Sequence, residues 1–441
     1  MHRRLPLFPI TTEIVPSPGG PGNLRVAGCA LADLADAHGT PLYIYDQATL
    51  DHAVSTYETA LARTFPGTNG ITYAGKAFLC TAVAQWAAHR GLWVDCTGAG
   101  ELHIAQQAGV PSAQILVHGV NKSPADLRAA LSLAGTLVVD NLAELHRLPA
   151  LVDEAGRCPN LWLRVRPGLA VATHVHTQTG QEDSKFGMGQ DEAAQAVAFA
   201  LEHDLPLTGL HFHQGSHFHD PAPVAPAMQT ILALAARLRD ETGWTPDVLC
   251  PGGGWGVPYH EDDLPHVSVA DYVGLVADAL CAGCEAHGLP LPRLQLEPGR
   301  SLVAQAGVAL YRVGAVKRTA GRRWLLLDGG LADNPRPALY AARYSALPVT
   351  DPVRPAVGSA WLAGPFCESG DILIHDLPLP AMQPGELVAV PMSGAYQLSM
   401  GSNYNGARKP AVLWLRDGRA HVVQRRESLA DLVRRDEGLA F

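Results

Sequence analysis

The chain predicts a (β/α)8 barrel followed by a mostly antiparallel β-domain. Three observations carry that prediction. Apolar β-rich runs alternate with helical patterns from about residue 42 to 300. Polar or glycine-rich elements close each of those runs. After Arg300 the long helical patterns stop, and short β-like runs separated by prolines and glycines take over. Strand–helix alternation implies parallel strands with crossover helices, and eight such units in roughly 250 residues match a closed barrel.

The β-rich runs fall near 42–45, 70–75, 92–95, 114–117, 136–139, 161–166, 207–213, 247–250 and 293–297. The first is set aside as a lead-in strand, which leaves eight. Helical patterns fill the gaps: Gln47 to Thr64, with Asp46 as its N-cap, then Phe78 to His89, Ala99 to Ala108 and Pro124 to Ala134. Leu142 to Glu154, Asp191 to His203, Ala222 to Thr242 and Val269 to His287 complete the set. The β-domain reads from Gly307 to Val316, Arg323 to Leu327, Ser359 to Ala363, Leu387 to Pro391, Ala411 to Leu415 and His421 to Gln424. Residues 1–41, with Leu24-Arg25-Val26 as an edge strand, are expected to complete it, and Ser428 to Arg435 reads as a last helix. The expected domains are therefore 42–300 and 1–41 plus 301–441.

Bulk properties narrow the function. The 441 residues exceed one ordinary core, and 47% hydrophobic with 17% charged residues is a globular composition. A formal net charge of −9 argues against a nucleic-acid binder. No apolar run approaches the roughly 20 residues of a membrane helix. The basic then apolar start is broken by Pro6 and Pro9 and is too short for a secretory signal, so a cytoplasmic protein is expected. The 8 cysteines show no framework spacing, and Cys281 and Cys284 read as helix thiols in a reducing compartment. The sequence contains no repeats or low-complexity tracts.

Barrel enzymes place chemistry at the C-terminal strand ends. In order, those ends carry Lys76, then Asp95-Cys96-Thr97-Gly98, His118-Gly119, Asp140-Asn141, Arg166, and His211 with His213. Gly252-Gly253-Gly254 and Glu297-Pro298-Gly299-Arg300 close the last two. Lys76 is a candidate for covalent chemistry, whereas a lone lysine after a strand is ordinarily a solvated loop residue. The glycine loop lets backbone N–H groups wrap phosphate oxygens, although a flexible turn would look the same. It is no Walker A loop, because no Lys-Ser/Thr follows. His211, His213, His217 and His219, with His174 and His176, admit a second reading, a metal-dependent barrel hydrolase. The competing use of such a histidine is as a flat ring stacked on a cofactor, which Lys76 and the glycine loop favour.

Together these motifs resemble the fold-type III decarboxylases that use pyridoxal 5′-phosphate (PLP). The resemblance runs from Pro41-Leu42-Tyr43-Ile44-Tyr45-Asp46 to the last helix. In the barrel it rests on Tyr73-Ala74-Gly75-Lys76-Ala77, Thr179-Gly180 with Asp183-Ser184-Lys185-Phe186-Gly187, His211-Phe212-His213-Gln214-Gly215-Ser216, the glycine loop and Glu297-Pro298-Gly299-Arg300. In the β-domain it rests on Asp328-Gly329-Gly330, Arg336-Pro337-Ala338-Leu339-Tyr340, Cys367-Glu368-Ser369-Gly370-Asp371 and Gly394-Ala395-Tyr396. The implied fold is that shared with alanine racemase and the group IV decarboxylases. Gly98-Ala99-Gly100, Gln214, His217 and Arg343-Tyr344 depart from the family pattern without removing a group the chemistry needs.

The resemblance implies a role for each matching residue. Lys76 carries PLP covalently, Glu297 partners the pyridine nitrogen, and His213 stacks on the ring. Ser216, Gly253, Gly254, Gly299, Arg300 and Tyr396 bind the phosphate, and Asp95 orients the lysine or the cofactor. Arg300, Arg336 and Tyr340 hold a distal carboxylate, joined by Tyr396, while Glu368 binds a distal ammonium. Cys367 is the proton donor. No metal is expected. Cys367 and Glu368 arrive from a neighbouring subunit in this family, which implies a homodimer with shared active sites.

The substrate implied by that charge pattern is meso-2,6-diaminopimelate, decarboxylated to L-lysine in the last step of lysine biosynthesis. A plain diamine precursor would leave Arg336 unpaired. Ornithine, arginine or carboxynorspermidine decarboxylases are the alternatives within the fold. A racemase lacks the Cys-Glu-Ser-Gly-Asp signature, and relatives that merely bind partners lose the lysine, the glycine loop or the cysteine.

Overall fold

A computed structural model describes residues 3–16, 20–168 and 183–440. His174, His176 and Thr179-Gly180, all named above, lie outside the described residues. The chain divides into two compact units, one of residues 53–257 and 266–301, the other of 1–52, 258–265 and 302–441. The sequence pattern places its boundaries at 42 and 300. The segment 258–265 joins the second unit because Glu261 accepts from Arg4 Nε at 2.7 Å and the Tyr259 ring packs edge-on to Tyr344.

The first unit is a closed barrel of eight strands. They are Asn69–Ala74, Trp93–Thr97, Ile115–His118, Thr136–Val139, Asn160–Arg164, Leu207–His211, Val248–Gly252 and Arg293–Leu296. Every neighbouring pair is parallel, and Arg293–Leu296 closes the ring on Asn69–Ala74. Leu116, Val138, Trp162 and Cys250 form a buried apolar cluster. Trp93 stacks on Trp162, and a side chain on Gly209 would strike the Trp162 indole, so glycine there makes room for the large ring. The crossover helices match the expected ones closely, and Val269–His287 matches in full. Ser123 and Ser268 cap their helices through the amides of Asp126 and Asp271. The expected helix 142–154 is instead two, Leu142–Leu145 and Leu148–Ala155. Pro149 causes the break, since it has no N–H and its ring crowds the carbonyl four residues back.

The second unit is built on the long strand Gly307–Thr319. Its first half pairs with Leu42–Asp46 on one side and Leu387–Val390 on the other, and its second half pairs with Arg322–Leu327. The sheet continues through Ser359–Ala363 to Ile372–Pro378 at one end, and through Ala411–Arg416 to Arg419–Gln424 at the other. Most pairs are antiparallel. Two are parallel: Arg322–Leu327 with Ser359–Ala363, and Leu42–Asp46 with Ala411–Arg416. The lead-in strand of the sequence pattern thus belongs to this sheet. Gly22–Val26 does not extend the sheet as an edge strand. It sits between Glu13–Pro16 and Cys29–Ala30 in a separate three-stranded sheet. Leu24 and Val26 pack into the same core as Ile44, Val308, Leu310 and Leu413, and Leu24 N–H donates to Val349 O at 2.9 Å. Apolar burial and one antiparallel bridge, Asn23 to Thr350, tie this segment down.

Lys122 generates a stability prediction for the barrel. Its Nζ donates to Gly119 O, Val138 O and Glu144 Oε1, each at 2.8 Å, with both side chains almost fully buried. Lys122→Met leaves the Glu144 charge buried and alone, which costs about 3–5 kcal/mol. Urea unfolding of the single variant should show that loss, and Lys122→Met/Glu144→Leu should recover most of it. Equal loss in the single and double variants would contradict the pairing.

Candidate active site

Within the barrel unit, the candidate residues lie at or just beyond a strand's C-terminal end, except Asp95, which lies within its strand. Lys76 is in the single 3-10 turn Gly75–Ala77 that follows the first strand, and its side chain is exposed. The turn is close-packed, since a side chain on Gly75 would approach the Asp95 carbonyl to 2.5 Å. Asp95 itself is buried in the second strand, and its Oδ1 has no hydrogen-bond partner among the described residues. Burial, reinforced by the Glu297 charge, pushes the Asp95 carboxyl up to about 7 against the pull of Lys76 and Arg164.

Glu297 follows the last strand and is the electrostatic centre of the group. Its Oε1 accepts from His118 Nε2 and its Oε2 from His211 Nε2, both at 3.0 Å. Burial alone would raise this carboxyl, but the two imidazoles bring it well below the usual carboxylate range. Burial holds both histidines below their ordinary value, His211 at about 4. Above the lowered range of the two histidines the rings are neutral, and their hydrogen bonds are what holds the anion. The atoms of His118, His211 and Glu297 that meet here lie within 4.8 Å of one another as a hydrogen-bonded set. The His211/His213 pair considered from sequence is not that set. His211 ends its strand and turns to Glu297, whereas half-buried His213 lies beyond the strand. Burial first, then the Lys76 charge, keeps His213 well below its ordinary value and therefore neutral.

The loops after the last three strands converge backbone to backbone. A side chain on Gly253 would collide with the Glu297 carbonyl, and one on Gly254, at φ 103°, with the Gly215 carbonyl. Only glycine permits this approach. Glu297 N–H donates to Gly252 O at 2.9 Å, and Ala74 N–H donates to Pro298 O at 3.1 Å. These bonds tie the Glu297–Gly299 loop to the glycine loop on one side and to the Lys76 strand on the other. Arg300 is buried, and its Nη2 donates to the Ser216 hydroxyl at 3.0 Å. Lys76, Asp95, His213, Ser216, Gly253, Gly254, Glu297, Gly299 and Arg300 are thus borne by one set of strand ends. The arrangement fits pyridoxal phosphate: a lysine, an anion for a ring nitrogen, and a glycine–serine–arginine cradle for a phosphate.

From sequence His118 is a strand end without a role, and His211 enters only with His213 as part of the metal reading. The same pattern points to Arg166 at the fifth strand. The more buried guanidinium is Arg164, which lies over the Phe186 ring at 4.4 Å and faces Asp140 at 3.9 Å. Arg166 is partly exposed and donates to Gly187 O.

The β-unit holds the remaining candidates. Arg336 is buried at the start of the short helix Arg336–Tyr340. Its guanidinium lies over the Tyr259 ring at 4.2 Å and donates to Tyr344 Oη. Among the described residues no carboxylate comes within salt-bridge distance of it, and its Nε has no partner. Tyr340 Oη reaches Met400 Sδ at 4.0 Å. Cys367 and Glu368 are exposed on the loop between Ser359–Ala363 and Ile372–Pro378, where Cys367 N–H donates to Asn405 Oδ1 at 2.9 Å. Asp371 braces that loop by accepting from the amides of Leu331 and Phe366. Tyr396 has a left-handed backbone, φ 60°, just beyond Gly394, where a side chain would collide with the Val303 carbonyl. Arg343, one of the departures from the family pattern, turns outward to Asp262 at 2.8 Å.

Residues 48–304 match the family described as pyridoxal-dependent decarboxylase, pyridoxal binding domain. Diaminopimelate decarboxylase of Bacillus subtilis strain 168 is 39% identical over 94% of this chain and 95% of its own length. Among solved structures, the diaminopimelate decarboxylase of M. jannaschi superposes with a TM-score of 0.89 at 28% identity, covering 97% of this chain and 98% of that one. The Helicobacter pylori diaminopimelate decarboxylase complexed with L-lysine gives a TM-score of 0.84 at 30% identity, over 91% of this chain and 98% of that one. The chain belongs to the diaminopimelate decarboxylases, within the pyridoxal-dependent decarboxylase family.

Proposed function

We propose that this protein removes carbon dioxide from meso-2,6-diaminopimelate to give L-lysine. The observation that carries the substrate choice is Arg336. A buried guanidinium caged by tyrosines, with no carboxylate in salt-bridge reach among the described residues, is a site prepared for a ligand carboxylate. Diaminopimelate keeps a carboxylate at its far end after the reacting one leaves, and ornithine has none to offer. The L-lysine bound to the Helicobacter relative is the product this reading expects.

When bound, pyridoxal phosphate supplies an electron sink for the breaking Cα–carboxylate bond. Lys76 is proposed to carry it covalently, and Asp95 to orient that lysine. Glu297 presents an anion to the ring nitrogen. His213, neutral, offers a flat ring for the cofactor face. Ser216, Gly253, Gly254, Gly299 and Arg300 are proposed for the phosphate, with Tyr396. For the substrate we propose Arg300, Arg336, Tyr340 and Tyr396 around the distal carboxylate and Glu368 at the distal ammonium. Cys367 is proposed to return a proton to the carbon that loses its carboxylate. Because Cys367 and Glu368 stand on an exposed loop, we propose that they serve the neighbouring subunit of a homodimer. No helix among the described residues is long and apolar enough to cross a membrane. We place the protein in the cytoplasm.

Carbon dioxide release from several amino acids tests the substrate. Protein supplied with pyridoxal phosphate should turn over meso-diaminopimelate far faster than ornithine, arginine or lysine. Faster turnover of ornithine would overturn the assignment. Arg336→Gln should lower kcat/KM for diaminopimelate by roughly 100-fold, the scale of a lost charge-assisted pair, while cofactor affinity stays unchanged. Arg336→Lys should recover only part of that loss, because ammonium cannot make the two parallel bonds of the guanidinium. Unaltered kcat/KM in Arg336→Gln would show that this cation does not hold the substrate.

A further inference from the structure

Glu297 is gripped from two sides by rings that the reading above leaves without work. His118 ends the third barrel strand and His211 the sixth, and each reaches a different oxygen of the same carboxylate. We propose that His118 and His211 are positioning residues, a two-sided clamp that fixes the Glu297 carboxylate as an anion for the ring nitrogen of the cofactor. This inference rests on the proposed role of Glu297.

The geometry is specific. The two rings meet edge-on, with centroids 4.7 Å apart and planes at 62°. One donor per oxygen fixes the carboxylate plane as well as its position. A single donor would leave it free to swing on its loop. Burial makes the clamp necessary, since an unassisted carboxyl in this place would take up a proton and become a donor itself. A neutral carboxylic acid gives a ring nitrogen no reason to hold a proton.

The choice of donor matters too. An arginine or lysine at either position would satisfy the oxygens but cancel the charge. Two imidazoles that remain neutral supply N–H groups and leave one full negative charge on the triad. Burial depresses both histidines, which agrees with that state. The other titratable or charged groups facing Glu297 are Asp95 from the second strand, Arg164 from the fifth, Cys250 from the seventh, and His213. Lys76 faces His118 and His213. Arg164 is the fixed cation of this set and Asp95 opposes it, so neither can replace the two N–H donors.

The sign of the pH effect follows. With both donors present, Glu297 stays ionised as pH falls through the range where free carboxyls and histidines titrate. Removing one donor raises its pKa, so the anion is lost earlier on acidification. Affinity of the apo-protein for pyridoxal phosphate, measured by fluorescence titration at pH 8 and pH 6, reads this directly. The cofactor's own titration enters equally for every protein, so each variant is compared with wild type at the same pH. His118→Phe keeps a ring of similar volume without the donor, whereas His118→Gln keeps an N–H. We expect His118→Phe to bind about tenfold more weakly than wild type at pH 6, with a smaller deficit at pH 8, on the scale of one lost hydrogen bond to a charged group. His118→Gln should follow the wild-type profile to within about twofold. That rescue separates a donor role from simple packing.

Parallel profiles for wild type and His118→Phe would overturn the clamp while leaving the cofactor reading intact. Wild-type protein that binds no pyridoxal phosphate at either pH would overturn the cofactor reading, and the clamp's purpose with it. Should His118→Phe not fold, 15N NMR of histidine-labelled wild-type apo-protein decides the matter. Two rings that stay neutral with the proton on Nε2 from pH 8 to pH 5.5 support the clamp. Two rings that titrate near the ordinary histidine value overturn it.

Discussion

A buried negative charge at Glu297 is the constraint from which the barrel chemistry follows. Carboxylates do not stay ionised away from water unless donors surround them. Here the donors come from strands far apart in sequence, the Glu297 N–H is tied to the glycine loop, and the Pro298 carbonyl accepts from the strand that leads to Lys76. The same close packing that requires Gly253 and Gly254 therefore sets the spacing between Glu297, the turn bearing Lys76 and the glycine loop. Alter the backbone at any one of these loops and the charge, the cradle and the lysine strand shift together.

The β-unit solves a complementary problem. Arg336 carries a positive charge into a buried place and is satisfied there by aromatic faces and a phenol rather than by an acid. Cation–π contact lowers the cost of burial without neutralising the guanidinium. The guanidinium keeps its full positive charge among these contacts. The short helix that carries it follows the Asp328–Gly330 turn. Asp333 anchors that turn by accepting from Gly330 N–H at 2.9 Å and from the Tyr311 hydroxyl at 2.6 Å. Asp371 connects the same region to the loop bearing Cys367 and Glu368. Stability and presentation of functional groups are thus served by the same buried acids.

Much of this was legible in the sequence because it is periodic or local. Strand–helix alternation gives the barrel, and the strand ends then give Lys76, His213, the glycine loop and Glu297 directly. Contacts between distant strands were not legible. His118 and His211 lie 179 and 86 residues from Glu297, and no spacing rule joins them. Arg164 was passed over for Arg166 because the apolar run 161–166 hides where the strand stops. The strand Ile372–Pro378 was missed because His375 and Asp376 interrupt its apolar pattern, and Asp376 has a left-handed backbone. Pro149 did signal a helix break, but the periodicity on both sides of it concealed the signal. The N-terminal segment reads as a strand correctly. Its partner strands are short, and its hold on the rest is through apolar burial and a single bridge to Thr350 that no alternation pattern reveals.

In the proposed function Lys76 carries the cofactor covalently, beside an anion that serves the ring nitrogen. Borohydride reduction of protein loaded with pyridoxal phosphate, followed by peptide mass spectrometry, tests it most directly. A phosphopyridoxyl group is expected on Lys76, with no comparable adduct on Lys122 or Lys185. An adduct confined to another lysine, or none on a protein that binds the cofactor, would contradict it.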